Sequence, residues 1–341
     1  MEVDRSAIKL VGAVALAGFA GACTGPTPEP EQVSITAPPL MAVERVGERV
    51  ETMADTLGLF RPNDLMRHPE GFLVVDTGND RLVLFDRQFG VLATIGSGGS
   101  GPGELEVPTL AEATADRFGV IEMSNARVSF FQNDGVFTGT VPLRGIYGDL
   151  AVSEDGTIFV AGSDPDSYVT RIDADGGRVA IGIPPREAGA GRAGRDDLVA
   201  ATSGGGVLVL DNSAGRLVSF DADGEQVRSA DLPDPILKTL RALSADAVGV
   251  FTKKGLGVLS SPLAKKLEPQ PDGRVLVLFA AEPYFGLLLD PETMSGRLLS
   301  VSEDAGVWQP LFRAYAAVLE GDTITVLHQF GLSRFRLAPA S

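Results

Sequence analysis

The sequence predicts an all-β fold, a six-bladed propeller, with seven blades as the alternative count. Three observations predict it. Between Arg61 and Pro108, short apolar runs (Leu73–Val75, Leu82–Phe85, Val91–Ile95) are bounded by Gly, Asp, Asn or Pro, the pattern of a strand-turn-strand meander. The unit then recurs: the turn glycines Gly71, Gly119, Gly156, Gly206, Gly273 and Gly321 each open an apolar run, and they stand 48, 37, 50, 67 and 48 residues apart. A four-stranded blade takes about 40 to 50 residues. Within the repeats a second element, R-[LV]-x-x-F, occurs at Arg81–Phe85, Arg127–Phe131 and Arg216–Phe220, each followed by a turn, with Ile172–Gly176 as a related copy. A blade stacked between two neighbours buries both faces, so its strands need not show one polar face.

Taken in order, the chain opens with a segment outside the fold. Leu10–Ala22 is an apolar run of thirteen residues, shorter than the roughly 20 of a membrane-spanning helix but suited to the core of a signal peptide. It ends at Cys23, the only cysteine of the chain, so no internal disulfide framework is expected. Residues Phe19-Ala20-Gly21-Ala22-Cys23 resemble a bacterial lipobox, with Ala20 where the pattern has leucine. The resemblance implies removal of residues 1–22 and lipidation of Cys23. Because Thr24 follows in place of Asp, it also implies an extracytoplasmic address at the outer membrane, facing the periplasm or the cell surface. Residues 23–31, rich in Pro and Glu with nothing apolar to bury, read as an extended tether, and residues 32–341 as the propeller.

Within the propeller, the turns Asp134-Gly135, Asp175-Gly176 and Asp223-Gly224 supply the positive φ of tight hairpins. The long fourth interval contains Pro233–Ala247, where Ile236, Leu237, Leu240 and Leu243 form one helical stripe after Asp234 as a candidate cap, predicting a short inserted helix. The last blade shows only three strands, Leu311–Val318, Thr323–Leu327 and Leu332–Leu337. An open edge invites aggregation, so the missing strand is expected from the N-terminal side, with Met41–Glu51 as first candidate and Gln32–Thr36 as second. Gly71–Asp86 (G-F-L-V-V-D-T-G-N-D-R-L-V-L-F-D) and the loop Ile95-Gly96 to Gly101-Pro102-Gly103-Glu104-Leu105 resemble NHL-type repeats and, more broadly, TolB-like six-bladed propellers, which include many bacterial lipoproteins. The match is good for blade 1, partial for blades 2 to 4, and one of strand pattern only for blades 5 and 6.

The formal charge of −16, from 29 Lys and Arg against 45 Asp and Glu, opposes phosphate backbones and excludes nucleic acid as a partner. With two histidines, His68 and His328, placed by the meander on opposite faces, no His-based zinc site or Ser-His pair is predicted. No cofactor is expected, although calcium stays open because carboxylates from several blades could hold it without a local motif. Asp173-Ala-Asp-Gly176 and Asp221-Ala-Asp-Gly224 open like calcium loops but lack the later acidic positions, and read as hairpin turns. The link between strands two and three and the crossover to the next blade share one face of the ring. That face collects the candidate ligand residues Arg61, Asn63, Asp76, Asn79, Asn125, Asp211, Asn212 and His328, with the loop Pro184–Asp197 (Arg186, Arg192, Arg195) beside them. Taken singly, each also suits a turn or a cap. The function expected is a tethered, non-catalytic binding module for a protein, peptide or carbohydrate; the alternative is a calcium-dependent propeller hydrolase or lyase of the lactonase kind acting on a sugar or lactone.

Overall fold

The computed structural model describes residues 30–35, 39–45, 58–145, 147–162, 167–173, 175–182, 197–253, 263–279, 284–301, 314–328 and 331–339. The signal segment, Cys23, most of the tether, residues 46–51 and the loop 184–196 lie outside them.

Two short N-terminal strands, β1 (Glu31–Gln32) and β2 (Pro39–Arg45), precede the ring. Blade 1 is β3 (Pro62–His68), β4 (Gly71–Asp76), β5 (Arg81–Asp86) and β6 (Val91–Ile95); blade 2 is β7 (Pro108–Ala113), β8 (Arg117–Glu122), β9 (Arg127–Gln132) and β10 (Phe137–Pro142). Blade 3 follows with β11 (Asp149–Val152), β12 (Ile158–Ala161), β13 (Val169–Ile172) and β14 (Arg178–Ile181), and blade 4 with β15 (Leu198–Ala201), β16 (Val207–Asp211), β17 (Arg216–Phe220) and β18 (Gln226–Asp231). After α1 (Asp234–Lys253), blade 5 is β19 (Lys266–Pro269), β20 (Val275–Leu278), β21 (Tyr284–Asp290) and β22 (Ser295–Val301). Blade 6 has β23 (Ala314–Glu320), β24 (Thr323–His328) and β25 (Gly331–Pro339) from the C-terminus, and takes its fourth strand from β2.

The closing strand is thus the first N-terminal candidate. β2 pairs antiparallel with β25, from Met41 opposite Pro339 to Arg45 opposite Phe335. Its other edge pairs parallel with β22, from Pro39 opposite Leu298 to Val43 opposite Val301, which fuses blades 5 and 6 into one eight-stranded sheet. Of the second candidate, Gln32–Thr36, only Gln32 is in a strand and Thr36 lies outside the described residues; with Glu31 it lies parallel to Arg228 and Ser229 on the outer edge of blade 4. Strand β1 therefore starts one residue inside the segment expected to be tether.

Six hydrophobic clusters correspond to the six contacts between successive blades. Examples are Met66, Leu84, Phe118 and Phe131 between blades 1 and 2, Phe159, Val169, Val209 and Phe220 between 3 and 4, and Leu65, Phe85, Val318 and Leu332 between 6 and 1. The remaining three seal blades 2 to 3, 4 to 5 and 5 to 6. That count decides for six blades. R-[LV]-x-x-F is the third strand of blades 1, 2 and 4, its apolar residues buried against both neighbours. Gly71 and Gly206 occupy equivalent places where strand two starts, and a Cβ there would collide with the carbonyl of Phe85 or of Phe220. Gly119 instead lies inside β8, two residues past the strand's start.

The inserted helix is longer than the stripe predicted, reaching Lys253. Ile236 and Leu240 are buried against Leu232 and Leu263 at the blade 4 to 5 contact, with Leu237 partly buried, whereas Leu243 is 42% exposed, so the buried stripe ends one turn early. Among the described residues no helix is long and apolar enough to cross a membrane.

Candidate functional site

The innermost strands β3, β7, β11, β15, β19 and β23 surround the central channel and end together, where short turns lead into the second strand of each blade. Three adjoining cavities open at that end, of about 370, 290 and 320 Å³. All three touch Gln270 and Pro271 of the β19–β20 turn, so this turn stands in the mouth and divides it. Glu112 borders the first two cavities, Arg67 the first and third, and Arg274 the second and third.

Below the mouth the channel is closed by charge. Lys266, on β19, reaches across the ring with its ammonium 2.7 Å from Asp64 Oδ1 on β3, 3.4 Å from Glu268 Oε2 and 3.9 Å from Glu112 Oε1 on β7. It also donates to the carbonyl of Leu65 at 3.1 Å. Burial alone would push the Lys266 pKa down, but Asp64, Glu268 and Glu112 together outweigh burial and hold it above its ordinary value, so the ammonium stays charged. Asp64 is fixed in turn by the amides of Leu65 and, in the next blade, Ala111. Asp149 repeats that bracing two blades on, accepting from the amide of Val199 at 2.8 Å. Burial pushes its carboxyl up to about 7, against the pull of the Val199 and Leu150 amides. Burial likewise raises Glu112 and Glu268, with Lys266 opposing in both cases.

Nearer the opening, Arg67 donates to the carbonyls of Pro269 (3.3 Å) and Leu319 (3.2 Å) and to Gln270 Oε1 (3.1 Å), and lies 3.7 Å from Glu268 Oε1. It ties blades 1, 5 and 6 together around the opening. His68 accepts from the amide of Glu70 at Nδ1, so Nε2 carries the proton it donates to the carbonyl of Asn133 at 2.9 Å. Both ring nitrogens are therefore engaged, and the ring is placed as a brace.

The residues singled out on the opposite face have defined places. In blade 1, Asp76 accepts from Arg81 Nε at 2.8 Å, from Asn79 Nδ2 at 2.8 Å and from the amide of Phe60 at 2.7 Å. Blade 2 repeats the bracket, with Glu122 in Asp76's place accepting from Arg127, Asn125 and the amide of Glu106. Arg127 and Asn125 also hold the carbonyls of Gly99 to Gly101 and of Glu104, so the glycine-rich loop is stapled to the blade it leads into. Asp211 accepts from Ser213 and the amide of Ala214, Asn212 exchanges two bonds with the backbone of Ala264, and buried His328 meets Ser333 Oγ at 2.8 Å. Arg61 and Asn63 are exposed, and Asn63 reaches the carbonyl of Thr109. Asn79 and Asp76 are hydrogen-bonded to each other in blade 1, whereas Asp211 and Asn212 belong to blade 4 and His328 to blade 6. His68 and His328 end β3 and β24 and so lie at opposite ends of the ring.

Sequence reasoning missed Asp64, Glu112, Asp149, Lys266 and Glu268. The available signal was an acid or lysine inside an otherwise apolar innermost strand, as in N-D-L-M or A-E-A, where an outward face would not need the neighbours to be apolar. Among the described residues, no group of three or more His, Cys, Asp or Glu is arranged to hold a metal ion. At the centre of the channel carboxyls stands the Lys266 ammonium.

No protein-family model and no curated protein sequence matches the chain. Solved structures match its fold. Virginiamycin B lyase from Staphylococcus aureus superposes with a TM-score of 0.51 at 9% identity, over 82% of this chain and 81% of that one. A catalytically inactive variant of that enzyme with quinupristin gives 0.50 at 10% identity, over the same shares. A candidate exported protein from Bacteroides fragilis gives 0.51 at 12% identity, over 91% of this chain and 99% of that one. At such identities the likeness is one of fold alone.

Proposed function

We propose that this chain is a non-catalytic binding propeller, lipid-anchored through Cys23 on the extracytoplasmic side of a membrane, whose ligand enters the mouth around Gln270 and Pro271. The observation that carries this reading is the mouth itself: adjoining cavities of small-molecule size, lined by convergent polar groups and set on the turns of a rigid ring. The non-catalytic reading is supported by how those groups are spent. His68 has both nitrogens engaged, Arg67 is tied to three blades, and the lining hydroxyls Thr114 and Ser153 cap their own turns by donating to Asp116 and Asp155. A calcium-dependent reaction would need a divalent cation among the channel carboxyls, and there Lys266 already supplies the positive charge.

Expression with the native leader, followed by membrane fractionation, tests the address: the wild type should pellet with membranes and Cys23→Ser should be soluble. A photo-crosslinking residue at Ala115, on the rim of the mouth's cavity of about 370 Å³, should capture the partner, whereas one at Asn63 on the opposite face should not. The reverse result would move the site to the face of Arg61, Asn63, Asp76 and Asn125. A wild type already soluble would end the anchoring proposal.

A further inference from the structure

The cations of the mouth are all engaged within the fold. Arg67 is held as above, Arg87 donates to Glu320 at 3.1 Å and to the carbonyl of Pro69, and Arg274 is paired with Asp272 at 2.6 Å. The acceptors are not matched in the same way. Glu112 is only 8% exposed, receives no hydrogen bond from any described residue, and has Lys266 no nearer than 3.9 Å, yet it borders both of the first two cavities. Beside it Glu268, 4% exposed, has an Oε2 that receives no hydrogen bond and lies 3.4 Å from Lys266. A buried carboxyl without a donor is a group that waits for one. From the elements packed around Glu112, the charged groups are Asp64 and Arg67 on β3, Asp149 on β11, and Lys266 and Glu268 on β19. Carboxyls outnumber cations there, and the whole chain carries a formal charge of −16, so a donor bearing positive charge is favoured over a neutral or anionic one.

We propose that the mouth takes a small organic ligand headed by a primary ammonium group, seated against the carboxyl of Glu112. This rests on the reading of the mouth as the binding site. A compact ammonium offers three donors, which suits a narrow floor where Glu112 and Glu268 both lack one. Burial raises Glu112 well above its ordinary pKa; Lys266 opposes this, and Glu268, Asp64 and Asp149 add to it. Docking of the ammonium points its N–H donors at the Glu112 carboxyl and its positive charge at the surrounding acids, with no covalent bond made or broken.

Calorimetry and ligand-detected NMR on the full chain, with n-butylammonium, 1-butanol and butyrate as probes, test the idea. Butylammonium should bind and the other two should not. Glu112→Gln should weaken butylammonium binding roughly tenfold or more, and Ala115→Trp should weaken it at the rim. Retained melting temperatures of both variants exclude misfolding as the cause. Binding of butanol or butyrate that Ala115→Trp removes and Glu112→Gln leaves intact overturns the ligand class but keeps the mouth. Butylammonium binding untouched by either substitution overturns both, and the absence of binding by all three probes overturns the proposal.

Discussion

Four buried carboxyls, Asp64, Glu112, Asp149 and Glu268, face one buried ammonium, Lys266, with Arg67 at the edge. Removing the ammonium would leave acids without a counter-charge in a low-dielectric interior. Lys266→Met should therefore cost about 3–5 kcal/mol, read as a lowered urea midpoint. The same cluster sets a pH dependence. The folded chain holds protons on Asp149, raised to about 7, and on Glu112 and Glu268, both raised, at pH values where the unfolded chain has released them. Their contribution to stability is complete below about pH 4, the unfolded value, and is lost as the pH rises through the folded values. Stability from these groups should thus fall between about pH 4 and 7, and Asp149→Asn should flatten the slope of the urea midpoint against pH over that range. Little of this was legible in the sequence, because Asp64 and Lys266 are 202 residues apart and nothing local records that they meet. Asp76, Asn79 and Arg81 were legible as a turn signature, since their bonds stay within one hairpin and the residue leading into it.

At the scale of elements, β1 and β2 make different contributions although both are N-terminal strands. β2 is hydrogen-bonded along both edges and completes blade 6, whereas β1 adds two residues to a blade already four strands wide. Val43→Pro should remove a ladder donor and strain the register, costing about 3 kcal/mol or more, with denaturant unfolding as the measure. Deleting Glu31 and Gln32 should shift the same transition by less than about 1 kcal/mol, the scale of the hydrogen bonds lost. The need for a closing strand was legible because the C-terminal blade was one strand short, and the sequence order of the candidates matched the outcome. The helix end was not. Val248, Gly249 and Val250 are weak helix formers, so local propensity argued for a stop before the point the chain reaches.

For the whole molecule, blade count came from spacing, and the long fourth interval could have hidden a seventh blade. The inserted helix accounts for its length, and the six inter-blade clusters settle the ring. A ring has no end from which to fray, so truncation before Leu332, which strips β25 from both β24 and β2, should abolish the single cooperative transition by calorimetry. The seam has one more consequence. β2 ends at Arg45 and β3 starts at Pro62 in a different blade, so the closing strand is not one arm of a tight hairpin with the strand that follows it. A strand held between β22 and β25 by backbone pairing along both edges can fill the identical slot in a second molecule, since the slot reads the peptide and not the chain it belongs to. At high concentration, copies of the ring can therefore trade their latches and link into pairs across this seam.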